Sequence, residues 1–117
     1  MDTLLGQTTA SGGAPAAAPY TKTATPTTGQ TLTFDNVATD QTYDLTPAGT
    51  LAALTVTLPN EASSALGQTV AIFSSQTITA LTINGATTIR NNPTTMVGGT
   101  KIFLRKVRAN TWDFWMS

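Results

Sequence analysis

Hydrophobic and polar residues alternate in short segments along most of the chain after residue 30. Clear examples are Leu32-Thr33-Phe34, Leu54-Thr55-Val56-Thr57-Leu58 and Leu81-Thr82-Ile83. Because successive side chains of a strand point to opposite faces of a sheet, this period of two predicts half-buried strands. Threonine on the exposed face is consistent with a strand, because β-branched side chains keep their preferred rotamer on a pleated surface. The pattern predicts an all-β domain over residues 31–117.

Turn residues between these segments predict how the strands are joined. Asn84-Gly85 is a strong tight-turn signal, and Arg108-Ala109-Asn110 separates two longer strands, which predicts a terminal hairpin. In the last strand, Trp112, Phe114 and Met116 share one face. Residues 61–66 are the only candidate for a helical turn, and a loop is the alternative.

The chain contains a faint internal similarity. Ala53-Leu54-Thr55-Val56 nearly repeats as Ala80-Leu81-Thr82-Ile83, and Leu32-Thr33-Phe34 has the same Leu-Thr-apolar step. The three leucines are 22 and 27 residues apart, whereas a regular β-solenoid needs a more constant period. We therefore interpret the similarity as common strand chemistry and expect a small antiparallel β-sandwich or barrel.

The first 30 residues are built mainly from Thr, Ala, Gly and Pro and carry almost no charge. A segment with so little apolar surface cannot repay its own ordering entropy. We therefore expect an extended, largely irregular arm over residues 1–30 that becomes ordered against a partner. Its sizeable apolar side chains, Leu4, Leu5 and Tyr20, are the predicted anchors, and a flexible linker is the alternative reading.

The composition argues against catalysis. The chain has no cysteine and no histidine, which removes disulfides, thiolate and imidazole metal sites and the usual nucleophile arrangements. No carboxylate pair is convincingly placed for a hydrolase. We expect a structural or binding protein without a cofactor or metal, and not an enzyme.

The N-terminal residues lack the basic start and apolar core of a secretory signal. No stretch approaches the roughly 20 apolar residues that span a bilayer. We expect a protein that is made in a cytoplasm, is not exported by the usual route and has no membrane partner.

Charge is unevenly distributed, although the net charge is zero. Residues 1–61 hold five acids against one lysine and residues 62–117 hold five bases against one acid, so the two parts carry −4 and +4. Such a dipolar molecule can meet copies of itself, or an acidic partner, with complementary potentials. Arg105, Lys106 and Arg108 are the candidate contact residues, and a solvated strand face is the alternative.

Four acids need a separate assignment. Asp35, Asp40 and Asp44 lie close together in the sequence, but their spacing does not match the Asp-rich calcium loop. We expect them to solvate a turn and predict no metal site. Asp113 is expected to form a cross-strand ion pair with Lys101, Arg105 or Lys106.

Trp112 and Trp115 fall on opposite faces of a regular last strand, so one is expected in the core and the other on the surface. An exposed tryptophan can fill a subunit interface or stack on a sugar. Because a domain this small gains much from oligomer burial, we favour the interface. Nucleic acid is not an expected partner, since no recognition motif and no net positive charge are present.

Residues Gly67–Gly85, together with Gly98-Gly99-Thr100 and the strand opened by Asn110-Thr111-Trp112, resemble the small β-modules of tailed-bacteriophage virion proteins. The N-terminal segment separately resembles the extended arms of capsid cement proteins. The resemblance implies a capsid decoration or head-fibre protein on the virion surface. It further implies a homotrimer whose arm binds the major capsid protein. A tail-fibre or carbohydrate-binding host-recognition module is the alternative.

Overall fold

The computed structural model describes residues 18–116, apart from the side chains of Trp115 and Met116. This part of the chain is all-β and contains no helix. Residues 61–63, inside the candidate helical segment, form turns. The strands are β1 (Tyr20–Ala24), β2 (Thr31–Thr33), β3 (Gln41–Leu45), β4 (Leu54–Thr57), β5 (Thr69–Ser74), β6 (Leu81–Asn84), β7 (Thr88–Arg90), β8 (Lys101–Arg108) and β9 (Thr111–Met116).

These strands form two sheets. The larger has the order β1-β3-β5-β8-β9-β7 and the smaller has the order β2-β4-β6. The first six strands alternate between the sheets, and within each sheet they pair in parallel. Each of three successive coils therefore contributes one strand to each sheet, which is the arrangement of a β-solenoid.

The antiparallel prediction was wrong for these coils, and neither a sandwich nor a barrel is confirmed. Leu54 aligns with Leu81 27 residues later, so the repeat seen in the sequence is a true coil repeat. Leu32, however, aligns with Val56 and not with Leu54. The coil length varies because the connecting loops vary, and the strands keep their register. A solenoid with coils of unequal length is therefore compatible with this sequence.

The end of the chain closes the larger sheet differently. Strand β8 runs antiparallel to β5, and β9 runs antiparallel to β8, so the predicted terminal hairpin is confirmed. Its turn places Asn110 in the left-handed region, with φ of 53°. Strand β7 pairs in parallel with β9. The Asn84-Gly85 turn therefore joins two different sheets instead of forming a hairpin.

The core lies between the two sheets and is built from the inward side of each strand. Period-two burial is clear in β3, β4 and β6, as the sequence predicted. Trp112 is the largest fully buried side chain. The other hydrophobic core side chains of the described residues that are at most 1% exposed are Phe34, Leu45, Leu54, Val56, Leu58, Val70, Ile72, Ile78, Met96, Ile102 and Leu104.

Two buried glutamines hold the connection between β2 and β3 in place. The Gln41 side-chain amide exchanges two hydrogen bonds of 2.8 Å with the backbone of Asp35. The Gln68 amide nitrogen donates to the carbonyls of Val37 and Thr39 at 2.8 and 2.9 Å. Both side chains are at most 3% exposed, so backbone groups replace water as the hydrogen-bond partners of their polar atoms.

Part of the predicted arm is a regular strand. Residues 20–24, assigned to the arm from composition, form β1, which pairs with β3 in the larger sheet. Their alternation of Thr with Tyr, Lys and Ala is the strand pattern that the composition concealed. In the described residues, no helix is long and apolar enough to cross a membrane.

Candidate interaction surface

The larger sheet has one side on the core and one side facing outward. The register of β3, β5, β8 and β9 places two parallel rows of side chains on the outward side. One row contains Thr42, Ala71 and Phe103 in order across the strands, and the other contains Asp44, Phe73 and Lys101. We call this side of the sheet the outer face.

Aromatic residues occupy the centre of the outer face. The rings of Phe73 and Phe103 are partly exposed and pack edge to face, with centroids 6.1 Å apart. Ala71, the register partner of Phe103, is only 4% exposed. The Lys101 ammonium lies over the Phe73 ring, 5.4 Å from its centroid. Apolar area with charge at its rim is typical of a binding surface.

Asp113 forms an ion pair with Arg90, which was not among the bases predicted for it. Its Oδ2 lies 3.4 Å from Arg90 Nη2, and the Asn91 amide donates to its Oδ1 at 3.4 Å. Arg105 occupies the opposite register position on β8. The sequence could not indicate Arg90, because nothing local shows that β7 lies beside β9.

Lys106 was predicted as a surface contact, and this prediction was wrong. Its side chain is 4% exposed and its ammonium lies 2.9 Å from Glu61 Oε1. It also donates to Ser64 Oγ at 2.8 Å and to the Ser64 carbonyl at 3.3 Å. Lys106 thus holds the loop between β4 and β5 against the sheet. Arg105 and Arg108 are exposed.

Trp112 was a candidate surface aromatic, and at 1% exposure it cannot serve as one. It belongs to the core, paired with Lys106 on one side and Ile89 on the other. The Trp115 side chain lies outside the described part of the structure. Its backbone pairs with Phe103, next to the aromatic centre of the outer face. Phe73 and Phe103 were not singled out from the sequence, although both follow the alternation of their strands.

Of the three predicted arm anchors, Leu4 and Leu5 lie outside the described residues. Tyr20 lies in β1 and its hydroxyl donates to Asp35 Oδ2 at 2.7 Å. Asp35 also pairs with Lys22 at 2.8 Å. The hydrogen bonds from Lys22 and Tyr20 lower the pKa of Asp35. Tyr20 is therefore engaged with its own domain.

Asp35, Asp40 and Asp44, which are close together in the sequence, make different contacts in the structure. Asp35 forms the ion pair with Lys22, and Asp40 accepts a hydrogen bond of 2.9 Å from the Thr69 amide. Asp44 lies in β3 on the outer face. Within residues 18–116, no group of three or more potential metal ligands of these types comes together.

The two lysine–carboxylate pairs give a prediction for acid stability. The hydrogen bond from Lys106 and that from the Asn110 amide lower the pKa of Glu61, as the contacts above do for Asp35. A lowered carboxyl pKa stabilises the fold above the unfolded-state value, about 3.9 for Asp and 4.3 for Glu. That contribution is lost as the pH falls through the folded-state pKa. Stability should therefore decrease as the pH falls below about 4.

The Glu61→Gln and Asp35→Asn variants separate the two pairs. We expect Glu61→Gln to lower the melting temperature at neutral pH more than Asp35→Asn. The reason is that Lys106 is 4% exposed and Lys22 is 28% exposed, so Lys106 is the costlier charge to leave without its carboxylate. Both variants should show a smaller melting-temperature difference between neutral and acidic buffer than the parent. An equal or larger effect of Asp35→Asn would contradict this ordering.

No family model matches the chain, and neither a curated protein nor a solved structure matches it.

Proposed function

We propose that this chain is a structural virion protein of the capsid decoration type, which binds the shell through its N-terminal residues and stabilises it. The observation that carries this proposal is where the N-terminal segment joins the body. It is joined to β1, the outermost strand of the larger sheet among residues 18–116. Within residues 18–116, the core is built from side chains between residues 24 and 114.

The body has the features of a rigid support. Its coils are joined by parallel backbone ladders, and buried side chains fasten its loops, as Lys106 and Gln68 do. A ligand that binds only the assembled state stabilises that state by mass action. Weak contacts from many decorating copies, each held near its neighbours, would together reinforce a shell. The major capsid protein is the proposed partner.

Removal of residues 1–17 tests this proposal. The cut must stop before Tyr20, because β1 belongs to the sheet. The truncated protein should keep its circular dichroism spectrum and melting temperature. It should no longer co-sediment with undecorated shells assembled from the major capsid protein encoded in the same genome. Normal co-sedimentation of the truncated protein would show that the arm is not the attachment segment.

Point substitutions in the N-terminal segment test the same proposal without deleting any residues. Leu4→Ser combined with Leu5→Ser should weaken binding to the same shells, because these leucines are the arm's bulky apolar groups. Leu66→Ser is the matched control, since Leu66 is a body leucine that is 69% exposed. It should bind shells as the parent does. Equal binding by the arm variant and the control would also refute the proposal.

The second candidate is a host-recognition module that binds carbohydrate. The outward Phe73 and Phe103 rings favour it, since aromatic faces stack on sugars. The same truncated protein distinguishes the two functions. A glycan-binding module would keep its affinity for host-surface polysaccharide after loss of residues 1–17, whereas a decoration protein has no such affinity to keep.

A further inference from the structure

We propose that Asn84-Gly85 is a deamidation site that the folded chain keeps closed, and that the Thr57 side chain is the group that closes it. This inference does not depend on the virion role. It rests on the chain's one Asn-Gly pair and on two hydrogen bonds that hold both reacting groups of that pair in the sheet.

Deamidation of an Asn-Gly pair needs only the pair itself and water. The backbone nitrogen of Gly85 attacks Cγ of Asn84 and gives its proton to water, while the side-chain amide group takes up a proton and leaves Cγ as ammonia. Water then hydrolyses the resulting cyclic imide at one of its two carbonyl carbons, which leaves aspartate or isoaspartate. Glycine in the second position exposes the attacking nitrogen, because it has no Cβ to cover it.

The attacking nitrogen belongs to a peptide group that is held at the end of β6. The carbonyl oxygen of Asn84, in the same peptide group, accepts a hydrogen bond of 2.9 Å from the Leu58 amide on the preceding coil. Asn84 is also the register partner of Thr57 in the parallel ladder. An extended strand turns each backbone nitrogen away from the side chain that precedes it. The nitrogen of Gly85 therefore reaches Cγ of Asn84 only when this part of the ladder opens.

The side chain of Asn84 is held towards β4. Its Oδ1 accepts a hydrogen bond of 2.7 Å from the Thr57 hydroxyl. Thr57 Cγ2 also lies 3.2 Å from the position that a Cβ on Gly85 would occupy. The hydroxyl thus holds the amide against the neighbouring strand, and the methyl group covers the backbone beside Gly85. Thr57 is a positioning residue that keeps the two reacting groups apart.

Burial does not provide this protection. Asn84 and Gly85 are both exposed, so water reaches them in the folded chain. Protection depends on the hydrogen bonds, and local opening of the coil removes both of them. Isoaspartate would lengthen the backbone by a methylene group at a corner where a Cβ on Gly85 would already meet the Leu58 backbone at 3.0 Å. A chain that has opened and reacted therefore cannot close again in the same geometry.

Asn36 is an internal reference in the same chain. Its Oδ1 also accepts a hydrogen bond, of 2.8 Å from the Asn60 amide. The residue after it is Val37, whose branched side chain crowds the attacking nitrogen. Asn36 should remain an asparagine in the folded and the unfolded chain during the time in which Asn84 reacts.

Peptide mass spectrometry of the full chain, incubated at mildly alkaline pH, tests the proposal. In native buffer Asn84 should deamidate at least about tenfold more slowly than in concentrated guanidinium chloride, because the reaction waits for local opening. Thr57→Val keeps the shape of the side chain and removes the hydroxyl. It should raise the native rate about three- to tenfold, the rate equivalent of one hydrogen bond. Thr57→Ser restores the hydroxyl and should react as slowly as the parent.

Thr55→Val is the matched control, because Thr55 lies on the same strand and pairs with Thr82 instead of Asn84. It should leave the native rate unchanged. A general loss of stability would act on both valine variants, so the difference between them isolates the hydrogen bond to Asn84. In guanidinium chloride all variants should react at the parent's rate.

A native rate for the parent equal to its rate in guanidinium chloride would overturn the proposal. So would equal native rates for Thr57→Val and Thr55→Val, or a Thr57→Ser variant that reacts as fast as Thr57→Val. None of these outcomes bears on shell binding by residues 1–17, and the converse also holds.

Discussion

Replacing Trp112 with alanine is expected to lower the free energy of unfolding by about 3–5 kcal/mol, the range for removal of a fully buried aromatic side chain. Trp112 is 1% exposed and lies in the core between the two sheets. It pairs with both Lys106 and Ile89, so its loss opens a cavity beneath three strands. Because a domain of this size has a total stability of about 5–15 kcal/mol, a large share of that stability would be lost.

Phe103→Ala is the matched control for this substitution. Phe103 lies on the neighbouring strand, but its ring is on the outer face and is partly exposed. Urea denaturation of both variants at low protein concentration should show less than half the effect for Phe103→Ala. Equal destabilisation by the two variants would show that Trp112 is not the central core residue. Because Trp112 is buried, a Trp112 variant that binds poorly would do so through loss of folding and not through loss of a surface contact.

Gly85→Ala is expected to cost about 2–4 kcal/mol, because strain in the backbone adds to overpacking. Gly85 has a φ of 100°, which side-chain-bearing residues rarely adopt. A Cβ there would lie 3.0 Å from both the backbone nitrogen and the carbonyl oxygen of Leu58. Leu58 belongs to the preceding coil, so the added methyl group would push two coils apart at a corner of the solenoid.

The Gly29→Ala variant separates the cost of backbone strain from the cost of the steric clash at Gly85. Gly29 has a similar positive φ of 82°, but no atom lies within 4 Å of its virtual Cβ. This variant should cost about 1 kcal/mol, the conformational part alone. Thermal unfolding of both variants measures the difference. If the two variants lose the same amount of stability, close packing between coils does not contribute to the cost of Gly85→Ala.

Strand content and sidedness were largely predictable from the sequence. The alternation in Leu54-Thr55-Val56-Thr57 and Leu81-Thr82-Ile83 indicates which residues face the core, since a strand places alternate side chains on opposite faces. The terminal hairpin was also predictable, because Arg108-Ala109-Asn110 joins two long alternating segments directly. These features depend on residues close together in the chain.

The candidate surface was harder to predict, because it depends on which strands become neighbours. Lys106 looked like one of three exposed bases, yet it is buried against Glu61 and Ser64, 45 and 42 residues away. Asp113 pairs with Arg90 because β7 lies beside β9. The row from Asp44 through Phe73 to Lys101 exists only once β3, β5 and β8 are adjacent.

The sequence by itself therefore determined that the described part of the chain is all-β, which sides of its strands are apolar, and where its last hairpin turns. Local alternation and turn chemistry are sufficient for these features. Only the tertiary structure decided that the first six described strands coil in parallel through two sheets, that residues 20–24 pair with β3, and that Asp44 and Lys101 lie on either side of Phe73. The physical reason is that strand order is set by burying the apolar sides of all strands together, and the loop lengths between coils carry no signal of that order.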